Sequence, residues 1–301
     1  MIAANLGLLL TMLIWGAFIP ALNLVFDRWD PWSLAAIRYW IALPLLGLVI
    51  RLTAPGPLFP SGTNWRKVAL IGGLGFGGFG GLYTIGVAHA NPITAAILSA
   101  AGPVVAALVA RFGYGAPLAS FTKGALVLAF VGGLLAMVDW HAAGNPLVFQ
   151  GGEILLLLST VCWCWYSIEA QRTLPGLSQI QITFITMIPA ASVLTAAYLA
   201  AGMIGEAHLP MPRPTGTDLL IFLYMGGLVA GAGVMMWNFG VQRLGLVIAS
   251  IYLNLIPLVA ITISVAALGT PLRWEQLIGG ALVLSGVALS QFGAFLAFRR
   301  R

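Results

Sequence analysis

Apolar residues along this chain fall into ten long runs, near 4–25, 31–52, 66–88, 92–112, 121–138, 152–170, 179–202, 218–241, 245–268 and 275–297. A helix needs roughly 20 predominantly apolar residues to cross the hydrocarbon of a bilayer, so each run is a candidate span. The connections are short and carry turn and charge signals, as in Asp27-Arg28-Trp29-Asp30-Pro31 and Pro55-Gly56-Pro57. None is long enough for a soluble domain. The first run has no Lys or Arg ahead of it and is longer than an ordinary signal-peptide core, which predicts a retained span. The fold class expected is an all-α polytopic membrane protein with ten transmembrane helices.

The pattern also repeats. Residues 72–118 align without a gap on residues 226–272, at a constant offset of 154, with 14 of 47 positions identical. Gly and Pro dominate the matches, among them Gly72/Gly226, Gly77/Gly231, Gly86/Gly240, Pro103/Pro257 and Gly115/Gly269. These residues set close helix approach and helix breaks, so their coincidence points to a duplicated backbone. After Pro271 the second copy has two extra residues, and Gly124-Ala125-Leu126-Val127-Leu128 then matches Gly280-Ala281-Leu282-Val283-Leu284. The first two spans of each half align poorly apart from Trp15 on Trp163. Spans three to five match spans eight to ten, so the unit holds five spans, and an odd number turns the copies in opposite directions. Two inverted five-helix repeats, residues 1–145 and 146–301, are predicted. Inverted repeats are an architecture of secondary transporters, with the substrate between the halves.

Composition agrees with the pattern: 60% of residues are hydrophobic and 7% charged, with mean hydropathy +0.99. If the N-terminus is cytoplasmic, the inner connections hold Arg51, Arg66, Lys67, Arg111, Lys123, Arg172, Arg243, Arg299, Arg300 and Arg301, and the outer ones only Arg28, Arg213 and Arg273. Basic residues are retained inside, which predicts that both termini are cytoplasmic. The net charge of +6 then reflects this asymmetry and contact with anionic lipid, and it gives no basic patch for nucleic acid. Cys162 and Cys164 lie together in the sixth span and read as small packing residues.

The two halves of about 150 residues, Leu13-Ile14-Trp15-Gly16, Arg38 in span two and the Gly-Ala-Leu-Val-Leu closing spans resemble the drug/metabolite transporter superfamily, its EamA-like branch above all. Within that branch the chain is similar to bacterial YddG-type amino-acid exporters. The resemblance implies a carrier of small metabolites in the inner membrane. The family often places an acidic residue after the fourth span. This chain has Gly113-Tyr114-Gly115-Ala116-Pro117 there, so no ion pair is expected at that point.

Candidate substrate contacts are the polar and aromatic residues inside spans, because polar groups in hydrocarbon usually face a cavity or a partner. Arg38 lies roughly 10 Å below the outer end of its span at 1.5 Å per residue. It either anchors a carboxylate, or it snorkels outward toward Asp27 or Asp30 or braces a neighbouring helix. Trp15, Tyr83, Trp163, Tyr166, Trp237 and Tyr252 are either cavity walls or packing and interface residues. Ser99, Asn238, Tyr252 and Asn254 have hydrogen-bonding groups for an amino acid or for a neighbouring helix. Gly73, Gly77 and Gly81 form one stripe, a packing face or a sliding face, and Pro103 and Pro257 are expected to kink their spans near the middle.

No Asp or Glu sits in the middle of any run, and His89, His141 and His208 fall in connections. A proton-driven carrier normally needs an intramembrane titratable group, so a facilitator or exchanger is expected. No His, Cys, Asp or Glu cluster has ligand or triad spacing, which argues against an enzyme, a metal site or a cofactor. The partners expected are a small-molecule substrate and the lipid bilayer. Neutral or aromatic amino acids are the leading cargo. Drug or nucleotide-sugar export is the alternative, although a sugar nucleotide would call for several intramembrane cations and only Arg38 is present.

Overall fold

The computed structural model describes residues 2–53, 57–99, 101–115, 120–136, 149–209, 211–244, 249 and 252–299, and all regular structure among them is helical. The helices are α1 (Ile2–Asn23), α2 (Pro31–Thr53), α3 (Trp65–Ala88), α4 (Pro92–Ser99), α5 (Gly102–Tyr114), α6 (Ser120–Ala136), α7 (Gly152–Thr173), α8 (Gln179–Met203), α9 (Gly216–Leu244), α10 (Leu255–Leu268) and α11 (Trp274–Arg299). Six of them, α1, α2, α3, α7, α8 and α9, are long and apolar enough to cross a membrane, and α4 with α5 makes a seventh if that pair is one span bent by 50°. The chain is a multi-pass membrane protein. The 145/146 boundary, Asp139, His141, Arg300, Arg301 and the side chain of Pro103 lie outside the described residues.

Helix starts are marked by local polar bonds. Asp30 accepts from the Ser33 backbone N–H at 2.8 Å at the head of α2, and capping boxes Ser178/Gln181 and Thr215/Asp218 open α8 and α9. Between the ends, the outward faces are leucine-rich. Leu6, Leu10 and Leu13 of α1 and Leu219, Leu220 and Leu223 of α9 are exposed, as a lipid-facing surface requires.

Two features depart from regular helices. Ile71–Gly77 in α3 and Tyr224–Gly233 in α9 are π-helical, at positions related by the 154-residue repeat. The proline expectation also changes. Pro103 and Pro257 open new helices, α5 and α10, in their first turns. There the missing N–H has no intrahelical partner to lose, and Pro103 sits at the 50° bend between α4 and α5. The prolines inside long helices are Pro20 in α1, Pro44 in α2 and Pro189 in α8.

Glycines set the closest packing. A Cβ at Gly72 would overlap the Thr186 carbonyl and Pro189 on α8, and one at Gly226 would meet the Arg38 carbonyl at 2.8 Å and Ile41 at 2.6 Å on α2. Gly86 abuts Leu156 of α7 as Gly240 abuts Leu8 of α1. Gly16 lies against the Ile256 carbonyl, and Cys164, at the matching place in α7, points its Sγ at the Gly102 carbonyl at 3.9 Å. Gly73, Gly77 and Gly81 lie on α8, against Val193, Ala190 and Leu194. In α6 and α11, Gly132 and Gly279 face each other's carbonyls.

Gly226→Val should lower the thermal unfolding midpoint in detergent by an amount equivalent to about 1–3 kcal/mol or more, because the obstructing Arg38 carbonyl is backbone and cannot turn away. Gly113→Ala, which meets nothing within 4 Å, should hold or raise the midpoint. Equal midpoints for the two variants would contradict this packing.

Candidate functional site

The helix breaks and the π-helical segments surround a common cavity. Ser99 ends α4 and Gly102 begins α5. Leu253 and Ile256 flank the start of α10, Val229 and Ala230 belong to the π-helical part of α9, and all six line the cavity. It has about 100 Å³ of room for water centres within roughly 780 Å³ of atom-free space that extends to its mouth. The first figure corresponds to several water molecules.

Its walls are apolar and rich in aromatic rings. Trp15 and Trp163 meet edge to face with centroids 5.7 Å apart, Phe79 packs on Trp163 at 4.9 Å, and Phe18 stacks on Tyr83 at 5.8 Å. Trp15 is fixed by donating its indole N–H to the Val229 carbonyl at 3.1 Å. Ser99 and Thr160 supply hydroxyls, each donating to a carbonyl of its own helix, Ala95 and Leu156 respectively.

Arg38 contributes the charge. Its side chain is 2% exposed, Nη2 donates to the Gly80 carbonyl at 2.8 Å, and the guanidinium lies 5.1 Å from the Phe18 ring centroid and 5.0 Å from that of Tyr39. Its Nε has no hydrogen-bond partner, and among the described residues it pairs with no carboxylate. It braces α3 through the Gly80 carbonyl and does not snorkel to Asp30. That carboxylate accepts from Ser33 and the His208 backbone and faces His208 Nδ1 at 3.7 Å. Gly80 makes this arrangement possible, since a Cβ there would meet the Tyr39 hydroxyl at 2.6 Å and Arg38 Nη2 at 2.9 Å.

The expected contact residues divide in two. Trp15, Arg38, Tyr83, Ser99 and Trp163 line the cavity. Tyr166, Trp237, Asn238, Tyr252 and Asn254 do not. Tyr166 stacks on Phe76 behind the wall and shares a hydrogen bond with Thr186 at 3.2 Å. Trp237 packs on Trp15 and Trp163 from outside. Asn238 donates to Thr183 Oγ1 at 2.9 Å and Tyr252 to Asn5 Oδ1 at 2.9 Å, both tying helices together. Asn254 precedes α10 with its Oδ1 buried and unpartnered.

Sequence reasoning missed Phe18, Tyr39, Phe76, Phe79 and Thr160, which also line the cavity. A signal existed: Phe18 follows Trp15, and Thr160 precedes Trp163, by three residues, while Phe79 and Phe76 precede Tyr83 by four and seven. One helix face carries each set.

A model of the EamA-like transporter family matches residues 2–138 and again residues 150–292. The chain belongs to the EamA-like transporter family. Curated relatives of this transporter include YyaM, an uncharacterized transporter of Bacillus subtilis, 25% identical over 260 residues that cover 86% of this chain and 83% of the relative. Another, from Streptantibioticus cattleyicolor, is named a probable terminal-alkyne amino-acid exporter and is 26% identical over 94% of this chain and 91% of its own length. A solved crystal structure shares the fold with a TM-score of 0.69, covering 99% of this chain and 98% of the other at 18% identity.

After the fourth span, where the family often has an acidic residue, the Tyr114 hydroxyl donates to Glu169 Oε1 at 2.7 Å, while Arg172 pairs with that carboxylate within α7 at 3.4 Å and stacks over the Tyr114 ring at 5.0 Å. A phenol ties α5 to α7 where an acidic side chain was looked for.

Asn238→Ala should cost about 1 kcal/mol of stability, the size of an interhelical hydrogen bond in a membrane, and leave the apparent KM for cargo unchanged. Trp163→Ala should change that KM. A KM shift for Asn238→Ala as large as that for Trp163→Ala would contradict the division between wall and support.

Proposed function

We propose that this EamA-like transporter exports small carboxylate-bearing metabolites, neutral and aromatic amino acids among them, across the bacterial inner membrane by alternating access. The observation that carries the reading is Arg38: a buried cation without a carboxylate partner, on the wall of an aromatic cavity between segments of both halves. Leaving a charge uncompensated in an apolar interior is costly, and such residues in membrane proteins mark substrate pathways. A cargo carboxylate relieves that cost. Trp15, Tyr83 and Trp163, with Phe18 and Phe79, hold the apolar part of the cargo, and Ser99 and Thr160 offer it hydroxyls. The relative named an amino-acid exporter supports the cargo class.

The architecture in this reading is ten spans in two inverted repeats, residues 1–145 and 146–301, with both termini cytoplasmic. Reciprocal contacts support it. Gly72 against Thr186 and Pro189 is matched by Gly226 against Arg38 and Ile41, and Gly86 against Leu156 by Gly240 against Leu8, at offsets of 154 for the glycines and 148 for their partners. The paired π-helical segments and the paired helix starts at Pro103 and Pro257 fall on the same correspondence. Movement at these breaks, with the Gly73–Gly77–Gly81 face sliding on α8, would open the cavity to one side and then the other.

Cargo runs down its own gradient or exchanges for another molecule, since no acid lies in the middle of a span to carry a coupled proton. In liposomes preloaded with a panel of labelled amino acids, the purified protein should release neutral or aromatic members, and a pH gradient at zero membrane potential should leave the rate nearly unchanged. Strong acceleration by that gradient would contradict uncoupled transport. Arg38→Gln should reduce amino-acid release by about tenfold or more, the scale of one lost charge-assisted hydrogen bond, at unchanged protein yield. Undiminished release would remove Arg38 from the site.

A further inference from the structure

The charge balance of the cavity separates one class of carboxylate from another. We propose that the preferred cargo is a monoanion, an apolar carboxylate with no α-ammonium group such as a 2-oxo, 2-hydroxy or N-acylated acid, and that the parent zwitterions bind more weakly. This rests on the proposed pairing of a cargo carboxylate with Arg38, but not on the cargo being an amino acid.

Among the described residues, Arg38 is the only charged one that lines the cavity. Of the chain's eight acidic residues Asp139 lies outside the described residues, and Asp27, Asp30, Glu153, Glu169, Glu206, Asp218 and Glu275 lie near helix ends or in connections. Those nearest the interior are engaged elsewhere: Asp30 with Ser33 and His208, Asp218 with Arg28 at 2.9 Å, Glu153 with the Gln150 N–H, and Glu169 with Tyr114 and Thr173. One carboxylate therefore neutralises the cavity, and a zwitterion leaves it with a net positive charge.

An ammonium group would also be poorly received. The carbonyls that accept at the wall already have donors, Gly80 in Arg38 and Thr84, Val229 in Trp15 and Phe76 in Tyr39. What remains is the hydroxyl lone pairs of Ser99, Thr160, Tyr39 and Tyr83 and the ring faces, two of which Arg38 already occupies. An α-ammonium sits a few ångströms from its own carboxylate, and so beside the guanidinium that binds it. Like charges at that separation and low dielectric repel strongly. The Arg38 Nε is buried and unpartnered, a donor that no described residue of the resting protein satisfies.

The test uses four ligands with one side chain: 3-phenylpropionate, phenylalanine, phenethylamine and 3-phenylpropionamide, titrated against the full-length wild-type protein in lipid nanodiscs. Binding is read from the fluorescence of the cavity tryptophans and from the unfolding midpoint. The monoanion should bind about tenfold or more tighter than phenylalanine, with the amide and the amine weaker than both acids. Phenylalanine binding as tightly as phenylpropionate, with the amide weak, overturns the monoanion preference and leaves the carboxylate reading of Arg38 standing. Equal binding of amide and phenylpropionate, or no binding of phenylpropionate, overturns both.

Discussion

A guanidinium held 2% exposed among aromatic rings, with one of its nitrogens bonded to nothing, is the constraint from which the rest of the structure can be understood. Desolvating a cation costs several kcal/mol unless ligands replace its water. The protein replaces part of that water with the Gly80 carbonyl and the faces of Phe18 and Tyr39, and leaves the remainder open to the cavity. Glycine at position 80 is what lets the carbonyl come so close. The charge thus depends on a glycine-rich α3, and α3 in turn depends on α8, along which Gly73, Gly77 and Gly81 lie.

The same kind of contact recurs across the fold. In lipid there is little hydrophobic drive to bring helices together, so close approach through small residues does that work. Here it occurs at Gly72 and Gly226, at Gly86 and Gly240, and between Gly132 and Gly279. At Gly72 and Gly226 the partner is a carbonyl of a long helix, α8 or α2, and the glycine lies within a π-helical segment whose wider turns alter the bonding of nearby carbonyls. The Trp15 indole bonds one carbonyl in that region, Val229, and so becomes a fixed wall of the cavity. Packing, irregular backbone and cavity are one arrangement.

Much of this was legible in the chain. The apolar runs located six full-length helices to within a few residues, and the Gly and Pro coincidences at offset 154 picked out the positions where helices touch and begin. The π-helical turns were not legible, because Gly-Gly-Leu-Gly-Phe-Gly is compatible with several helical registers and the choice is made by what lies against it. The prolines marked the place but not the form of the irregularity: Pro103 and Pro257 signal helix starts as readily as kinks, and a continuous apolar run hides the break that decides between them. Among the aromatics, depth in a span said nothing about facing. Tyr166 and Trp237 are as buried as any residue in the chain but support the wall, while Phe18, Phe76 and Phe79 form it. Arg38 stood out from sequence alone because a charge in hydrocarbon has few tolerable places.

The central claim is that the partner missing from Arg38 arrives with the cargo. A cryo-electron microscopy map of the protein in nanodiscs, with a carboxylate cargo at saturating concentration, tests it most directly. The account predicts a carboxylate oxygen about 3 Å from the guanidinium, with the cargo's apolar part between Trp163 and the Phe18–Tyr83 pair. Cargo density elsewhere, with Arg38 still bonded only to Gly80 or paired with a lipid headgroup, would contradict it.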